Sequence, residues 1–389
     1  MVSSRNQQRL AVTINEDYCS RCGICSSVCP FEAIRRDSET GKMLLEIEKC
    51  QTCGICYSSC PAKAIDAIYY DVDSLIRYLE TAKREYKSDI LVIMCKGSAP
   101  DSSAVEKLFG VSEFIPLSVP CVGRIPEEVL LKVIATMGIR RIHILACDDD
   151  YCRFERGSPI TGRRITALNI VLAQLGYGPE AIELKRNSLK VKADRDKCIA
   201  CGNCAFYCPY GAAKLESGAA EFDLTLCRGC GLCVTLCPAF ALDLENWETE
   251  RMTALISRLS AEMERPKIMV FRCQWSVFPS LDGEFDPNVR AVDLPCAARV
   301  EPLHILEAFQ SGIDGVLIAA CPEEDCKSKT GSKESKRLMT ALSKTLGQIG
   351  FEERLKFCFV SPRYAGAFKE ELRQFKARIE SDYAKEGTQ

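Results

Sequence analysis

A chain of 389 residues exceeds one ordinary hydrophobic core and points to two to four domains. Its 47% hydrophobic and 27% charged residues belong to a folded protein, and a net charge of −2 offers no excess of Lys and Arg to neutralise nucleic-acid phosphates. Twenty-five cysteines against two histidines, His143 and His304, weaken any reading built on His-based zinc hydrolysis, haem ligation or acid–base catalysis, and both histidines read as structural.

The opening segment, MVSSRNQQRL, has no apolar signal core, and no apolar run approaches the roughly 18 residues a membrane span needs. The expectation is a cytoplasmic chain with its thiols reduced or metal-bound. Residues 19–30 then read CSRCGICSSVCP, and 50–61 read CQTCGICYSSCP. Two Cys-x2-Cys-x2-Cys-x3-Cys-Pro phrases about thirty residues apart match a two-cluster ferredoxin, in which the fourth cysteine of each phrase serves the other cluster. One 4Fe–4S site is therefore expected from Cys19, Cys22, Cys25 and Cys60, and its neighbour from Cys50, Cys53, Cys56 and Cys29. Gly23 and Gly54 would let backbone amides approach the sulfurs. A zinc ribbon would leave the third and fourth cysteines of each phrase without a role.

Next comes a polar stretch of helical pattern, DSLIRYLETAKREY at 73–86. Beyond it, short β-branched runs end in cysteine three times: ILVIMC at Cys95, FIPLSVPC at Cys121 and RRIHILAC at Cys147. Cys152 comes five positions later in CDDDYC. The amphipathic stretches PEEVLLKVIATMG (126–138) and TALNIVLAQLG (166–176) alternate with these runs, as in a parallel sheet wrapped by helices. Thiols at the carboxyl ends of such strands line the ligand crevice, so Cys95, Cys121, Cys147 and Cys152 are expected to converge. Four cysteines suit a 2Fe–2S cluster, another 4Fe–4S or zinc, and spacing does not choose among them.

The remainder repeats this order. Phrases CIACGNCAFYCP (198–209) and CRGCGLCVTLCP (227–238) predict sites from Cys198, Cys201, Cys204, Cys237 and from Cys227, Cys230, Cys233, Cys208. The helical stretch TERMTALISRLSAEME (249–264) precedes runs ending at Cys273, Cys296 and Cys321, with Cys326 five positions on. Two more amphipathic stretches, EPLHILEAFQSG (301–312) and RLMTALSKTLGQIG (337–350), complete the second half. Twelve cysteines match twelve, and Cys358 is left over as a buried thiol.

The fold expected is an internal duplication in which α+β ferredoxin-like modules alternate with α/β parallel-sheet, doubly wound-like domains. Their bounds are a ferredoxin module at 10–70, a linker helix at 71–88 and a sheet domain at 89–188. The second set is a module at 189–247, a linker helix at 248–265 and a sheet domain at 266–389.

The stretches VPCVGRIPEEVLLKVIATMGIRRIHILACDDDYC and LPCAARVEPLHILEAFQSGIDGVLIAACPEEDC resemble the delta subunit of methyl-viologen-reducing hydrogenase. The shared features are a cysteine trailed by Gly-Arg and proline, at Cys121–Pro126 with Arg124, and a Cys-x4-Cys pair at Cys147/Cys152. They recur at Cys296–Pro302, with Ala298 for the glycine, Arg299 and one residue more before the proline, and at Cys321/Cys326. The resemblance implies 2Fe–2S clusters at Cys95, Cys121, Cys147, Cys152 and at Cys273, Cys296, Cys321, Cys326. It also implies electron transfer between a hydrogenase or dehydrogenase and a flavin-containing heterodisulfide-reductase-like subunit. The sequence departs from that family in lacking its histidines around the Cys-x4-Cys pair and its Cys-Cys-x-x-Cys strand end, where MCKGSA and RCQWS stand instead.

No dinucleotide fingerprint, P-loop or Ser-His-Asp set occurs, and GYGPEA at 176–181 fails in spacing and context. The leading expectation is a non-catalytic electron-transfer subunit with four 4Fe–4S and two 2Fe–2S clusters. A catalytic reductase using Asp148, Asp149, Asp150, Glu323 or Glu324 as proton donors is the alternative, and a zinc scaffold a third reading. Lys96, Arg124, Arg299 and Lys327 stand beside expected ligands, as tuning, docking or plain surface residues.

Overall fold

The structure, a computed structural model, describes residues 9–98, 100–178, 180–278 and 286–386. The chain divides into two units, one built on Met1–Ser188 and the other on Leu189–Phe278 and most of the residues after it. Most elements recur in each; among the described residues the helix Ser102–Phe109 belongs to the first unit and the closing helix Ala367–Glu386 to the second.

In the first unit, Val12–Ile14 pairs antiparallel with Ile65–Ala67, and Ile34–Arg36 with Met43–Leu45. Between them lie two single-turn helices, Ile24–Val28 and Ile55–Ser59. Val12, Ala33, Ile34, Met43 and Ile65 make a small core together with Cys25, Cys50 and Cys56. So little aliphatic surface is buried that the sulfurs form part of the core itself. The helix Val72–Tyr86 comes next, started by Asp71, whose carboxylate accepts from the Ser74 amide at 3.0 Å. Leu75, Ile76, Leu79 and Ala82 form its buried stripe, and the Tyr78 hydroxyl donates to the Pro116 carbonyl at 2.6 Å, fixing the helix to a sheet strand.

The first sheet is four-stranded and wholly parallel, in the order Ile115–Val119, Ile90–Cys95, Arg141–Ala146, Ile182–Arg186. Strand one therefore lies between strands two and three, and the chain reverses its winding beside it. The carboxyl ends at such a switch point open a crevice. Val92, Leu91, Ile93, Ile142, Leu145 and Ala146 are wholly buried, which explains the continuous apolar runs in place of alternation.

In the second unit, Val191–Ala193 pairs with Leu242–Leu244, and Ala213–Glu216 with Ala219–Phe222. The helix Thr249–Ala261 leads to a second parallel sheet in the same order: Val289–Leu294, Ile268–Cys273, Gly315–Ala320, Leu355–Phe359. Its closing helix, Ala367–Glu386, packs Phe375 and Ile379 on Gly315, where a Cβ would come within 2.7 Å of Ile379. Cys358 lies in that core, and burial raises its thiol to about 12.

The expected helices are present, with the 166–176 and 337–350 stretches largely inside the longer helices Gly157–Gln174 and Gly331–Gly347. One expectation needs correcting. Only Cys95 and Cys273 end their strands; Cys147 and Cys321 stand one residue beyond theirs, and Cys121 and Cys296 two beyond. Pro120 and Pro295 occupy the intervening position, where a residue without an amide N–H cannot extend the ladder.

Candidate metal centres

Each Cys-x2-Cys-x2-Cys loop turns on two left-handed residues. These are Arg21 and Gly23, Thr52 and Gly54, Ala200 and Gly202, Gly229 and Gly231, all with φ between 53° and 81°. The second of each pair opens the short helix that carries the third cysteine. Successive left-handed turns aim backbone amides into the loop, and several amides end on sulfur. Thr52 N–H donates to Cys50 at 3.4 Å, while Ala64, Ala212, Ala220 and Ala241 donate to Cys60, Cys208, Cys198 and Cys237 at 3.3 Å.

The fourth cysteine of each phrase keeps company with the other phrase. Burial pushes the Cys25 thiol up, and nearby Cys19, Cys60 and Cys22 push the same way. Burial likewise raises Cys56, reinforced by Cys53, Cys50 and Cys29. In the second unit one small cavity is bordered by Cys198, Cys201, Cys204 and Cys237, and another by Cys208, Cys227, Cys230 and Cys233.

At the sheet ends a second kind of thiol group forms. Hydrogen bonding to Cys152 and then burial raise Cys121, and Cys152 and Cys95 act the same way on Cys147. Cys152 is pulled down to about 3, first by Cys121 and then by Cys147, with the amides of Ser158 and Phe154 assisting. In the second unit Cys273 and Cys321 sulfurs lie 3.6 Å apart, and Cys296 contacts both Cys273 and Cys326. Ser158 and Ser332 donate to Cys152 and Cys326 at 3.4 and 3.3 Å from the first turn of the helix beyond each pair. Each helix starts on a glycine that has no conformational need to be one. A Cβ on Gly157 would lie 2.2 Å from the Cys121 sulfur, and one on Gly331 2.5 Å from Cys296. Sequence reasoning misses both glycines, although each stands five places after a Cys-x4-Cys pair.

The strand-end thiols also adjoin one ferredoxin quartet. Cys230, Leu232, Cys296 and Ala298 form a single buried cluster. In the first unit Ile55, between Cys53 and Cys56 in sequence, reaches to within 3.8 Å of the Cβ position on Gly157, and Cys53 raises Cys121. The 4Fe-4S dicluster domain family matches residues 11–68 and 190–238, and the methyl-viologen-reducing hydrogenase delta-subunit family matches 90–199 and 268–381, more than half of the chain.

The chain belongs to the hydrogenase delta-subunit family. It is 34% identical over 128 residues to an iron-sulfur subunit of the F420-non-reducing hydrogenase of Archaeoglobus profundus, spanning 31% of this chain and 93% of that protein. It is also 34% identical over 218 residues to a subunit of the ferredoxin/F(420)H(2)-dependent CoB-CoM heterodisulfide reductase of Methanosarcina acetivorans. That match takes in 54% of this chain but only 27% of the relative.

This delta-family member carries a buried arginine between each ferredoxin loop and the neighbouring strand end. Arg124 is fully buried, donates to the carbonyls of Thr52 and Tyr69, and lies 5.1 Å from the Tyr70 ring centre. Arg299, also fully buried, donates to the Trp247 carbonyl at 2.7 Å, the Thr249 hydroxyl at 3.0 Å and the Glu301 carboxylate at 2.6 Å. Gly54 and Gly231 have room only for hydrogen, since a Cβ would meet Arg124 at 2.8 Å and Arg299 at 2.6 Å. The surface reading of Lys96, Arg124 and Arg299 is thereby overturned, as all three are buried; Lys327 is half-buried. Both histidines are buried: His143 faces Glu183 at 2.9 Å, and His304 Nδ1 accepts from the Glu301 amide. Asp149 is held by Arg186 and Ser158, and Asp148 by Ser188.

Four sulfurs with amide donors and no imidazole fit an iron–sulfur cluster. Among the described residues no three Cys, His or carboxylate side chains gather as one metal ion requires. No helix among them is long and apolar enough to cross a membrane.

Proposed function

We propose that the chain is an iron–sulfur relay in which each unit offers three stations in a fixed order. The outer 4Fe–4S site of the first unit is Cys19, Cys22, Cys25 and Cys60, and the inner one is Cys50, Cys53, Cys56 and Cys29. A 2Fe–2S site at Cys95, Cys121, Cys147 and Cys152 exchanges electrons with the inner one. The second unit repeats this with Cys198, Cys201, Cys204, Cys237, then Cys227, Cys230, Cys233, Cys208, then Cys273, Cys296, Cys321, Cys326. The observation that carries the reading is the direct packing of Cys230 against the Cys296 loop, matched by Ile55 against Gly157. Two phrases that each carry four cysteines favour multi-iron clusters over a zinc ribbon, which would leave the third and fourth cysteines of each phrase without a role.

A bound cluster supplies one-electron storage; the protein's part is to seat it, aim amides at its sulfurs and exclude water. The partners exchanging electrons are a heterodisulfide-reductase-like flavoprotein and a hydrogenase or dehydrogenase. The domain bounds 10–70, 71–88, 89–188, 189–247, 248–265 and 266–389 accord with the same reading. Anaerobically prepared chain, reduced with dithionite and freed of excess, will pass its electrons to a viologen dye. It will not consume an added disulfide substrate, and net disulfide reduction by the isolated chain would contradict the proposal.

A further inference from the structure

The two units bury different charges around the same constellation. Arg124 and Arg299 occupy equivalent places: the thiols acting on Arg124 include Cys53, Cys121 and Cys56, and those acting on Arg299 include Cys233. The second unit adds a carboxylate. Its loop is one residue longer before the proline, and the extra position is Glu301, 4% exposed, which accepts from Arg299 at 2.6 Å and from Thr249 at 3.1 Å. The corresponding stretch of the first unit is Ile125–Pro126, and its next carboxylates, Glu127 and Glu128, pair with Arg164 and with Lys63 on a more exposed helix start. The residue after the first strand-end cysteine also differs. It is buried Lys96 in the first unit and half-buried Gln274 in the second.

Reduction adds negative charge to a cluster, and in a buried site that charge is poorly screened. A nearby carboxylate therefore disfavours the reduced state and a nearby ammonium favours it, which moves the potential accordingly. Relative to the first unit, the second has one more buried carboxylate in the loop that carries Cys296 and lacks the buried amine that follows the first strand-end cysteine; its own buried Arg272, where the first unit has Met94, is paired with Asp293. We propose that the strand-end centre of the second unit has the lower reduction potential, with Glu301 as the residue that sets it apart. The second unit is then the stronger reductant and the first the better electron sink, so the duplication produces two unequal halves.

This inference rests on the relay reading, and its test separates the two. EPR-monitored redox titration of the full chain at pH 8, with Cys321→Ser and Cys147→Ser variants to assign the signals, will give a more negative midpoint for the second unit's centre. Glu301→Gln will shift that midpoint upward and leave the first unit's in place. Gln274→Lys, at a half-buried position, will shift it the same way without disturbing the Arg299 pair. Coincident or reversed midpoints, or an unmoved midpoint in both variants, would overturn the inference alone. A chain without iron–sulfur signals would overturn the relay reading with it.

Discussion

Gly157 and Gly331 show how tightly single residues bound these sites. Neither has a positive φ, so their absent side chains answer to close neighbours, first among them the sulfurs of Cys121 and Cys296. Gly157→Ala should expel the strand-end cluster of the first unit alone, read as loss of about two iron atoms per chain. Overpacking of about 1–3 kcal/mol should accompany it. His304 gives a pH dependence. Burial, helped by Arg299, lowers its pKa to about 3, so the imidazole is neutral in the fold and its Nδ1 can accept from the Glu301 amide. An unfolded imidazole titrates near 6.5, so below roughly that pH the unfolded chain binds more protons and stability falls as the pH drops towards the folded value. His304→Gln keeps the acceptor and removes the titration, so its melting temperature should change less between pH 7 and pH 5 than the parent's.

At the scale of elements, the junction between ferredoxin loop and sheet domain within the first unit depends on Arg164, in the helix Gly157–Gln174. It bonds the Ser58 hydroxyl at 2.9 Å, the Gly123 carbonyl at 3.1 Å and the Ser59 hydroxyl, and pairs with Glu127 at 3.1 Å. Arg164→Ala should cost about 3 kcal/mol in denaturant unfolding, because it strands several half-buried partners at once. The strands ending near Cys95, Cys147, Cys273 and Cys321 were legible from their apolar runs, since burial on both faces leaves no alternation to confuse them. The strand Ile182–Arg186 was not legible. IELKR alternates apolar and charged residues, and it takes its place only by pairing with Arg141–Ala146. Arg164 itself was invisible for a related reason: the groups it bonds in the ferredoxin loop and beside Cys121 lie far from it in sequence.

For the molecule as a whole, repetition was the clearest message of the sequence, and both units bear it out in strand order as well as cysteine placement. The proposed crossed grouping of fourth cysteines follows the two-cluster ferredoxin spacing, in which the fourth cysteine of each phrase serves the other cluster. Cys60→Ser should therefore perturb the EPR signal of the Cys19 site and spare that of Cys50, although Cys60 is nearer to Cys50 in sequence. What spacing could not reveal was the charge buried around equal sulfur quartets, since Glu301 acquires its meaning only by folding against Arg299. The most direct measurement for the account is metal and acid-labile sulfide content of the anaerobically purified chain, read with its EPR spectrum after dithionite. About twenty iron atoms with matching sulfide and a reduced-cluster signal are predicted. Stoichiometric zinc, or colourless protein with free or disulfide-bonded cysteines, would contradict it.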